Sequence, residues 1–303
     1  MVSHHHRSEP PYDGTTEEVV AGSETGTLWI VATPIGTLAD LSRRAGEVIE
    51  NVDLLLAEDT RRTRRLISGL GLELRGSLRS LHEHNETKVI PDVLAALNRG
   101  DDVALVSDAG TPVLSDPGYL LVHQVRQEGL SVASVPGPSA FTAALAAAGQ
   151  PPLPATLVGF LPPRQGARKR RLGGLLSFPG TLVFFLSPHR LAKELTDVAE
   201  VFGWQRPATL LAEISKRYER AETGVLGDLK DGREAAAPRG EYVLVVGPVI
   251  QKSAPSGPVT REQARRAYEQ ALEEVGDRRE AQRVASRELN ISRRDLYALI
   301  FEN

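Results

Sequence analysis

The chain has 303 residues, 41% of them apolar and 25% charged, with a formal net charge of −3. That length and balance fit two ordinary soluble domains with a small appendage and a sizeable core. There is no cysteine, which excludes disulfides and thiolate-held metal and makes the reducing cytosol the expected compartment, and no apolar run approaches the length of a membrane span.

The net charge hides an uneven distribution. Residues 1–26 carry one arginine against five acids, and residues 259–303 carry nine arginines against nine acids. Any nucleic-acid contact therefore comes from local clusters and not from a global basic field.

Residues 1–26 mix His4–His6 with Pro, Gly, Ser, Thr and acids, show no apolar period, and read as a disordered extension. The three adjacent histidines are a tag-like or incidental tract. From Thr27 an alternation of strands and helices begins. Leu28–Ala32 is a short β-branched run broken by Pro34-Ile35-Gly36, and Asp40 or Ser42 caps a helix reaching about Glu50. Strand-like Asp53–Ala57 leads into a basic helix from near Thr60. His82-Glu83-His84-Asn85 alternates along an expected strand end, with His82 and His84 on one side. Pro91–Asn98 has helical spacing and stops at Gly100. Val103–Val106 is a buried strand followed by a Gly/Pro-rich loop and a helix over about Tyr119–Gln127. Val132–Val135 is a strand, and Ser139–Ala148 an Ala-rich helix ending at Gly149. Such alternation argues for a parallel sheet with right-handed crossovers.

Gln150–Pro154 is the expected linker. Strands at Thr156–Phe160, Thr181–Leu186, Thr209–Ile214 and Glu241–Gly247, with a helix over His189–Phe202, predict a mixed sheet in a second domain. A second linker, Ser253–Pro258, precedes a helical tail in which Ala281–Leu289 and Ser292–Ile300 are spaced like a helix-turn-helix. The domain expectation is thus a 1–26 extension, α/β domains over 27–150 and 151–250, and a helical region over 259–303.

Three stiff, small-residue loops follow successive strands: Thr33–Gly36, Ser107–Gly118 and Pro136–Ala140. Clefts of α/β proteins lie outside the carboxyl ends of their strands, so these loops predict one shared pocket. In the long loop, glycines permit close backbone approach, prolines stiffen it, and Asp108 and Asp116 suit a polar, cationic ligand. Glu58-Asp59 sits where a dinucleotide-binding fold keeps its ribose acid, but the G-x-G-x-x-G fingerprint is absent, with only Gly36 in TPIGTL. Arg61 and Arg62, just beyond, are candidate phosphate ligands. His82 and His84 lack a visible third ligand, so no metal is expected and a polar or proton-accepting role is favoured. Residues 164–171, RQGARKRR, concentrate five positive charges and read as an uncompensated patch for nucleic-acid phosphate, with His189 and Arg190 adding a further anion contact.

Together, TPIGTLADLSRRA, LLLAEDTRRT, HEHNE, LVSDAGTPVLSDPG, VPGPSA, GFLPPRQGARKR, SPHR and RGEYVLVV resemble, in this order, the ribosomal RNA small-subunit methyltransferase I family of the tetrapyrrole-methylase superfamily. The resemblance spans about Thr27 to Pro248. It implies an α/β two-domain tetrapyrrole-methylase fold with a cofactor cleft between the domains, plus a small C-terminal helix-turn-helix-like region. It also implies S-adenosylmethionine as cofactor, 2′-O-methylation of a cytidine ribose in 16S rRNA of the small ribosomal subunit, and a cytoplasmic homodimer. Cofactor binding then falls to Pro34, Ser107, Asp108, Gly110, Thr111, Pro112, Asp116, Gly137, Ser139, Ala140 and Phe160. The resemblance replaces the ribose-acid comparison and sets Glu58, Asp59 and Arg61 on the active-site or RNA side; the catalytic candidates, which orient or deprotonate the hydroxyl, are Asp59, His82 and Asn85. RNA contact falls to Arg61, Arg62, Arg168, Lys169, Arg170, Arg171, His189 and Arg190. The chain departs from the family pattern at Thr37 (usually Asn), at Leu186 (commonly Glu) and at Ala212 (usually Arg), and the last two read as a swapped ion pair. Two alternatives share the motifs: a methyltransferase acting on a small tetrapyrrole, and a non-catalytic RNA-binding assembly factor. The basic run and the helical tail argue against the first.

Overall fold

Five strands of the first half lie parallel because each is joined to the next by a helix that packs back on the sheet. The computed structural model describes residues 25–230, 240–248, 259–289 and 291–301. The expected N-terminal extension, apart from its last two residues, and the Ser253–Pro258 linker lie outside the described residues. The chain divides into two compact units. One runs to Ala143 and also takes in Glu213–Glu219; the other comprises Ala144–Ala212 and the chain from Arg220 onward.

In the first unit the elements run β1 (Thr27–Val31), α1 (Arg43–Asn51), β2 (Leu54–Ala57), α2 (Thr60–Leu70), β3 (Ser77–Ser80), α3 (Glu86–Asn98), β4 (Val103–Val106), α4 (Tyr119–Gln127), β5 (Ser131–Val135) and α5 (Ala140–Ala147), the last extending into the second unit. The sheet order is β3-β2-β4-β1-β5. Strand side chains alternate between two layers. Leu28, Leu56, Val103 and Leu105 pack with Val89, Val93 and Leu97 of α3 and Leu121 and Val125 of α4. Trp29, Val31, Leu55, Ala104 and Val106 face the opposite way, onto Ala45 and Ile49 of α1 and Ile67 of α2. The fully buried VALV of β4 is thus the signature of a central parallel strand.

Local signals set most boundaries. The Ser42 hydroxyl accepts from Ala45 N at 3.1 Å and caps α1. Asp59 caps α2, and Gly71 closes it in the left-handed conformation at φ 68°. Helix α3 starts at Glu86, earlier than its leucine spacing predicts, and carries Pro91 within it. Buried Glu86 explains the extra turn, because its carboxylate accepts from Leu121 N at 2.9 Å and caps α4.

The second unit contains β6 (Ala155–Phe160), α6 (Gln165–Gly173), β7 (Thr181–Leu186), α7 (Leu191–Phe202), β8 (Pro207–Ala212), β9 (Arg220–Val225), α8 (Leu226–Lys230) and β10 (Tyr242–Val246). Its sheet order is β6-β7-β10-β8-β9, with β6 parallel to β7 and the other pairs antiparallel, a mixed sheet as expected. Phe184, Leu186, Leu195, Val198, Leu210 and Leu244 lead its core. Helices α9 (Arg261–Val275), α10 (Arg278–Glu288) and α11 (Arg293–Phe301) bury their own cluster of Ala264, Tyr268, Ala281, Ala285 and Leu296. Thr260 and Gln263 form a capping box at the start of α9.

Candidate active site

The sheet order puts β1 between β4 and β5, so the chain reverses its direction of winding there, and the loops leaving these three strands meet at one edge. They are stitched by the backbone. Thr33 and Gly110 exchange both N–H···O bonds, at 2.9 and 3.0 Å. The Thr33 hydroxyl donates to Ser107 O at 3.1 Å, and the Thr111 hydroxyl donates to Pro138 O at 3.2 Å. Gly110 has φ 86°, and a Cβ on it would come 3.4 Å from Ile35 Cγ2; one on Gly137 would stand 3.0 Å from Ala32 Cβ. Val113 and Ser115 also adopt left-handed φ, at 76° and 71°, a strain retained where a loop is shaped for a ligand. The Ser107 hydroxyl donates inward to Gly110 O at 3.1 Å, so this residue shapes the loop from within. Pro34, Ser107, Asp108, Gly110, Thr111, Pro112, Asp116, Gly137, Ser139 and Ala140 are thereby gathered at one sheet edge. Phe160 belongs to the second unit, 62% exposed on strand β6 and set edge-on to Phe185 at 5.6 Å.

Beside these loops, the ends of β2 and β3 and the start of α2 border an open pocket of about 480 Å³ lined by Glu58, Asp59, Arg61, Arg62, His82 and Asp108, among others. Its acids differ in their partners. Asp59 caps α2 by accepting from Arg61 N at 2.9 Å, and its other oxygen takes Arg61 Nη2 at 2.9 Å. That guanidinium holds the Asp59 carboxyl well below the usual carboxylate range. Asp108 accepts from Asp59 N at 3.1 Å and from Arg62 Nη1 at 2.9 Å. Burial, reinforced by the Asp108 charge, raises Glu58. Burial and then the Glu58 charge push Asp116 up to about 6, with the Ser107 hydroxyl opposing the rise.

Two of the expected catalytic residues therefore carry structural work. Asp59 is a helix cap in an ion pair, a poor proton acceptor. The Asn85 side chain accepts from His82 N at 2.8 Å and donates to Ser80 O at 3.0 Å, clamping a turn. This turn replaces the strand end expected at His82–Asn85, since the chain must reverse between β3 and α3. His82 lines the pocket, and its buried Nδ1 has no hydrogen-bond partner among the described residues.

The basic run at 164–171 forms α6, and its expected status as an uncompensated patch is corrected. Arg168 is only 3% exposed: it pairs with buried Asp197 at 2.5 Å and donates to the carbonyls of Pro162 and Pro163. An interior guanidinium so committed is not an RNA ligand. Lys169 pairs with Glu200 at 2.5 Å, leaving Arg164, Arg170 and Arg171 as the exposed arginines of the run. Arg190 is likewise engaged, pairing at 2.8 Å with Glu194, which is fully buried; His189 is exposed.

A family model, "Tetrapyrrole (Corrin/Porphyrin) Methylases", matches residues 27–230. The chain is 45% identical over 226 residues to ribosomal RNA small subunit methyltransferase I of Xylella fastidiosa, covering 74% of this chain and 82% of that protein. The chain belongs to the tetrapyrrole methylases, in their ribosomal RNA small subunit methyltransferase I branch. The Mesorhizobium japonicum protein of the same name is 44% identical, covering 78% of this chain and 80% of its own. Among solved structures, uroporphyrin-III-C-methyltransferase from Thermus thermophilus superposes with a TM-score of 0.50 at 26% identity, covering 73% of this chain and 94% of that one. Diphthine synthase superposes with a TM-score of 0.57 at 15% identity, covering 74% and 90%, a likeness of fold alone.

The departures from the branch's pattern are also placed. In this methylase the Thr37 hydroxyl donates to Ser215 O at 2.5 Å, while the Ser215 hydroxyl bonds Asp40, so Glu213–Glu219 is strapped to the TPIGT loop. Leu186 and Ala212 both stand in register with Tyr242, one on each side of it across β10, and all three are buried. Both positions are apolar, so the acid and the arginine usual in the branch give way together on the two sides of one buried tyrosine. The sequence marks Thr33 only as part of a stiff loop, not as the residue whose hydroxyl and backbone join two loops, and sets Glu58 on the active-site or RNA side without a step of its own. A buried threonine at a strand end carries no compositional signal, whereas Glu58 stood beside Asp59 in plain view.

Proposed function

We propose that this methylase transfers a methyl group from S-adenosylmethionine to the ribose 2′-hydroxyl of a cytidine in 16S rRNA of the small ribosomal subunit. One observation carries the reading: a stitched, strained glycine loop and an acid-lined pocket with arginines at its rim share the carboxyl edge of one sheet. The donor set fits the cofactor. Carboxylates suit its positive charge, Gly110 supplies a left-handed backbone that a side chain would strain, and a Cβ at Gly137 would crowd Ala32.

Pro34, the Ser107–Pro112 loop, Asp116 and the Gly137–Ala140 loop hold the cofactor, joined by Phe160. S-adenosylmethionine supplies a methyl group on a ready leaving group. The chain's task is to hold the ribose oxygen in line, since alignment is worth effective molarities of about 10⁵ M or more, against about 10²–10⁴-fold for a general base. Arg61 and Arg62 sit in exposed ion pairs, 81% and 66% accessible. Pairs of that kind are weak enough to exchange for RNA phosphate, and Asp59 then still caps α2 through the Arg61 backbone N–H. Lys169, Arg170, Arg171 and His189 extend the phosphate contacts. The 27–150 and 151–250 segments act as the two catalytic domains and 259–303 as an accessory RNA reader, in the cytoplasm. Helix α5, AFTAALAA, fully buries only Ala144 in the single chain and leaves Phe141 and Leu145 half-buried, which supports a homodimer.

The test is to map 2′-O-methylation on small-subunit rRNA from cells with and without the protein. Loss of one methylated cytidine is expected. An unchanged map would overturn the proposal, and a new requirement in tetrapyrrole synthesis would favour the small-molecule alternative.

A further inference from the structure

Three acids line the pocket beside the glycine loop, and two are committed. Asp59 receives the Arg61 backbone and guanidinium, and Asp108 receives Asp59 N and the Arg62 guanidinium. Glu58 makes no hydrogen bond or ion pair with the described residues. It is half-buried and faces the cavity. Its place is fixed by the sheet: Ala57, the residue before it, is the last of β2 and pairs in register with Val106 of β4, two residues before Asp108. A side chain on the end of a central strand is held more rigidly than one on a loop.

From the geometry we infer that Glu58 is the proton acceptor for the ribose hydroxyl; this rests on the methyl-transfer reading above. In the step, the ribose oxygen forms a bond to the methyl carbon as the carbon–sulfur bond breaks and sulfur keeps that electron pair. The hydroxyl proton passes to a Glu58 carboxylate oxygen and thence to water. Charge balances, with the cationic sulfonium becoming a neutral thioether and the carboxylate a neutral acid.

The surroundings suit this role. Asp108 and Asp116 face Glu58 from the loop after β4, Glu83 from the turn before α3, and Asp59 from the start of α2; Arg62 of α2 is the opposing cation. Burial and this excess of negative charge raise its basicity, whereas Arg61 lowers that of Asp59. The residue best suited by position is therefore also the better base. Burying a carboxylate without a hydrogen-bond partner opposes folding, a cost kept where the free group has work to do.

The experiment is single-turnover methylation of purified small ribosomal subunits by the full chain with saturating S-adenosylmethionine, between pH 4.5 and 8. Glu58→Gln, Glu58→Asp and His82→Gln are compared with the unaltered protein, and calorimetry with S-adenosylhomocysteine is run on each. Glu58→Gln is expected to slow methylation about 10²–10⁴-fold. It should abolish the rise in rate with pH while binding S-adenosylhomocysteine within about threefold of the unaltered protein, and Glu58→Asp should restore part of the rate. Three results overturn the inference: Glu58→Gln methylating at the unaltered rate, Glu58→Gln losing the homocysteine ligand, or His82→Gln alone flattening the pH profile. No methylation of the subunit by the unaltered protein would overturn the parent reading with it, so the two failures are distinct.

Discussion

Replacing Arg168 with Ala tests whether the basic run is interface or interior. The guanidinium is 3% exposed and its partner Asp197 1% exposed, with contacts at 2.5 and 2.7 Å and two more to the carbonyls of Pro162 and Pro163 at 3.0 Å. Truncation strands Asp197 with Gln165 Nε2 at 2.8 Å and Lys169 Nζ at 3.6 Å. Breaking one side of a buried pair costs about 3–5 kcal/mol, and Lys169 holds the expected loss near the lower end. At about 2–4 °C per kcal/mol for a unit of this size, Tm should fall by roughly 6–12 °C. Circular dichroism on heating reads the fall, and filter binding to a 16S rRNA fragment reads affinity below the transition. Arg168→Ala should keep its RNA affinity within about twofold. Arg170→Ala and Arg171→Ala should leave Tm nearly unchanged yet weaken binding and flatten its salt dependence by about one unit of slope each. The apolar double variant Arg168→Met with Asp197→Leu should recover much of the lost stability, because no lone charge is then buried. An Arg168→Ala protein with unaltered Tm and weakened RNA binding would refute the reasoning.

Asp116 is pushed up to about 6 in the fold, above its value of 3.8 in the unfolded chain. Its neutral form is thus favoured by folding, so its contribution is fully present below the unfolded pKa and is lost as pH rises through about 6. Asp116→Asn should therefore gain Tm relative to the unaltered protein between pH 5 and pH 8, and a difference constant across that range would refute the assignment. At Gly36, a Cβ would stand 2.6 Å from both Ser215 O and Lys216 Cγ. Gly36→Ala should cost about 1–3 kcal/mol. It should also speed tryptic cleavage after Lys216 or Arg217, and an unchanged cleavage rate would mean the strap does not depend on this close approach.

The fold was legible where one local pattern decided the element. VALV at 103–106 is apolar throughout because both faces of β4 are covered, and Ser42, Asp59 and Gly71 marked helix ends by their side chains or their lack of one. Strands β3 and β9 were not assigned because SLRS and RAETGV lie at sheet edges and are largely polar. The pattern that marks a strand is burial, and edge strands have half of it. Helix α6 shows in the sequence as a charged run and not as a helix, since Leu172 is its one residue in the apolar core.

The site was legible as a set of segments but not as a division of labour among them. The loops after β1, β4 and β5 stand together because their strands are neighbours in the sheet, whereas alternation predicts the parallel sheet but not that order. Which charge is free depends on partners far along the chain. Arg168 meets Asp197 across 29 positions, and Asp59 N meets Asp108 across 49. A sequence window that shows RKRR or EDTRR contains the cations and acids but not the partners that occupy them. In α6 the hidden partner removes a residue from the candidate interface. In EDTRR a visible one, Arg61, removes Asp59 from the candidate bases and leaves its neighbour Glu58 facing the pocket unpaired. The chemistry follows from pairing, and pairing belongs to the folded chain.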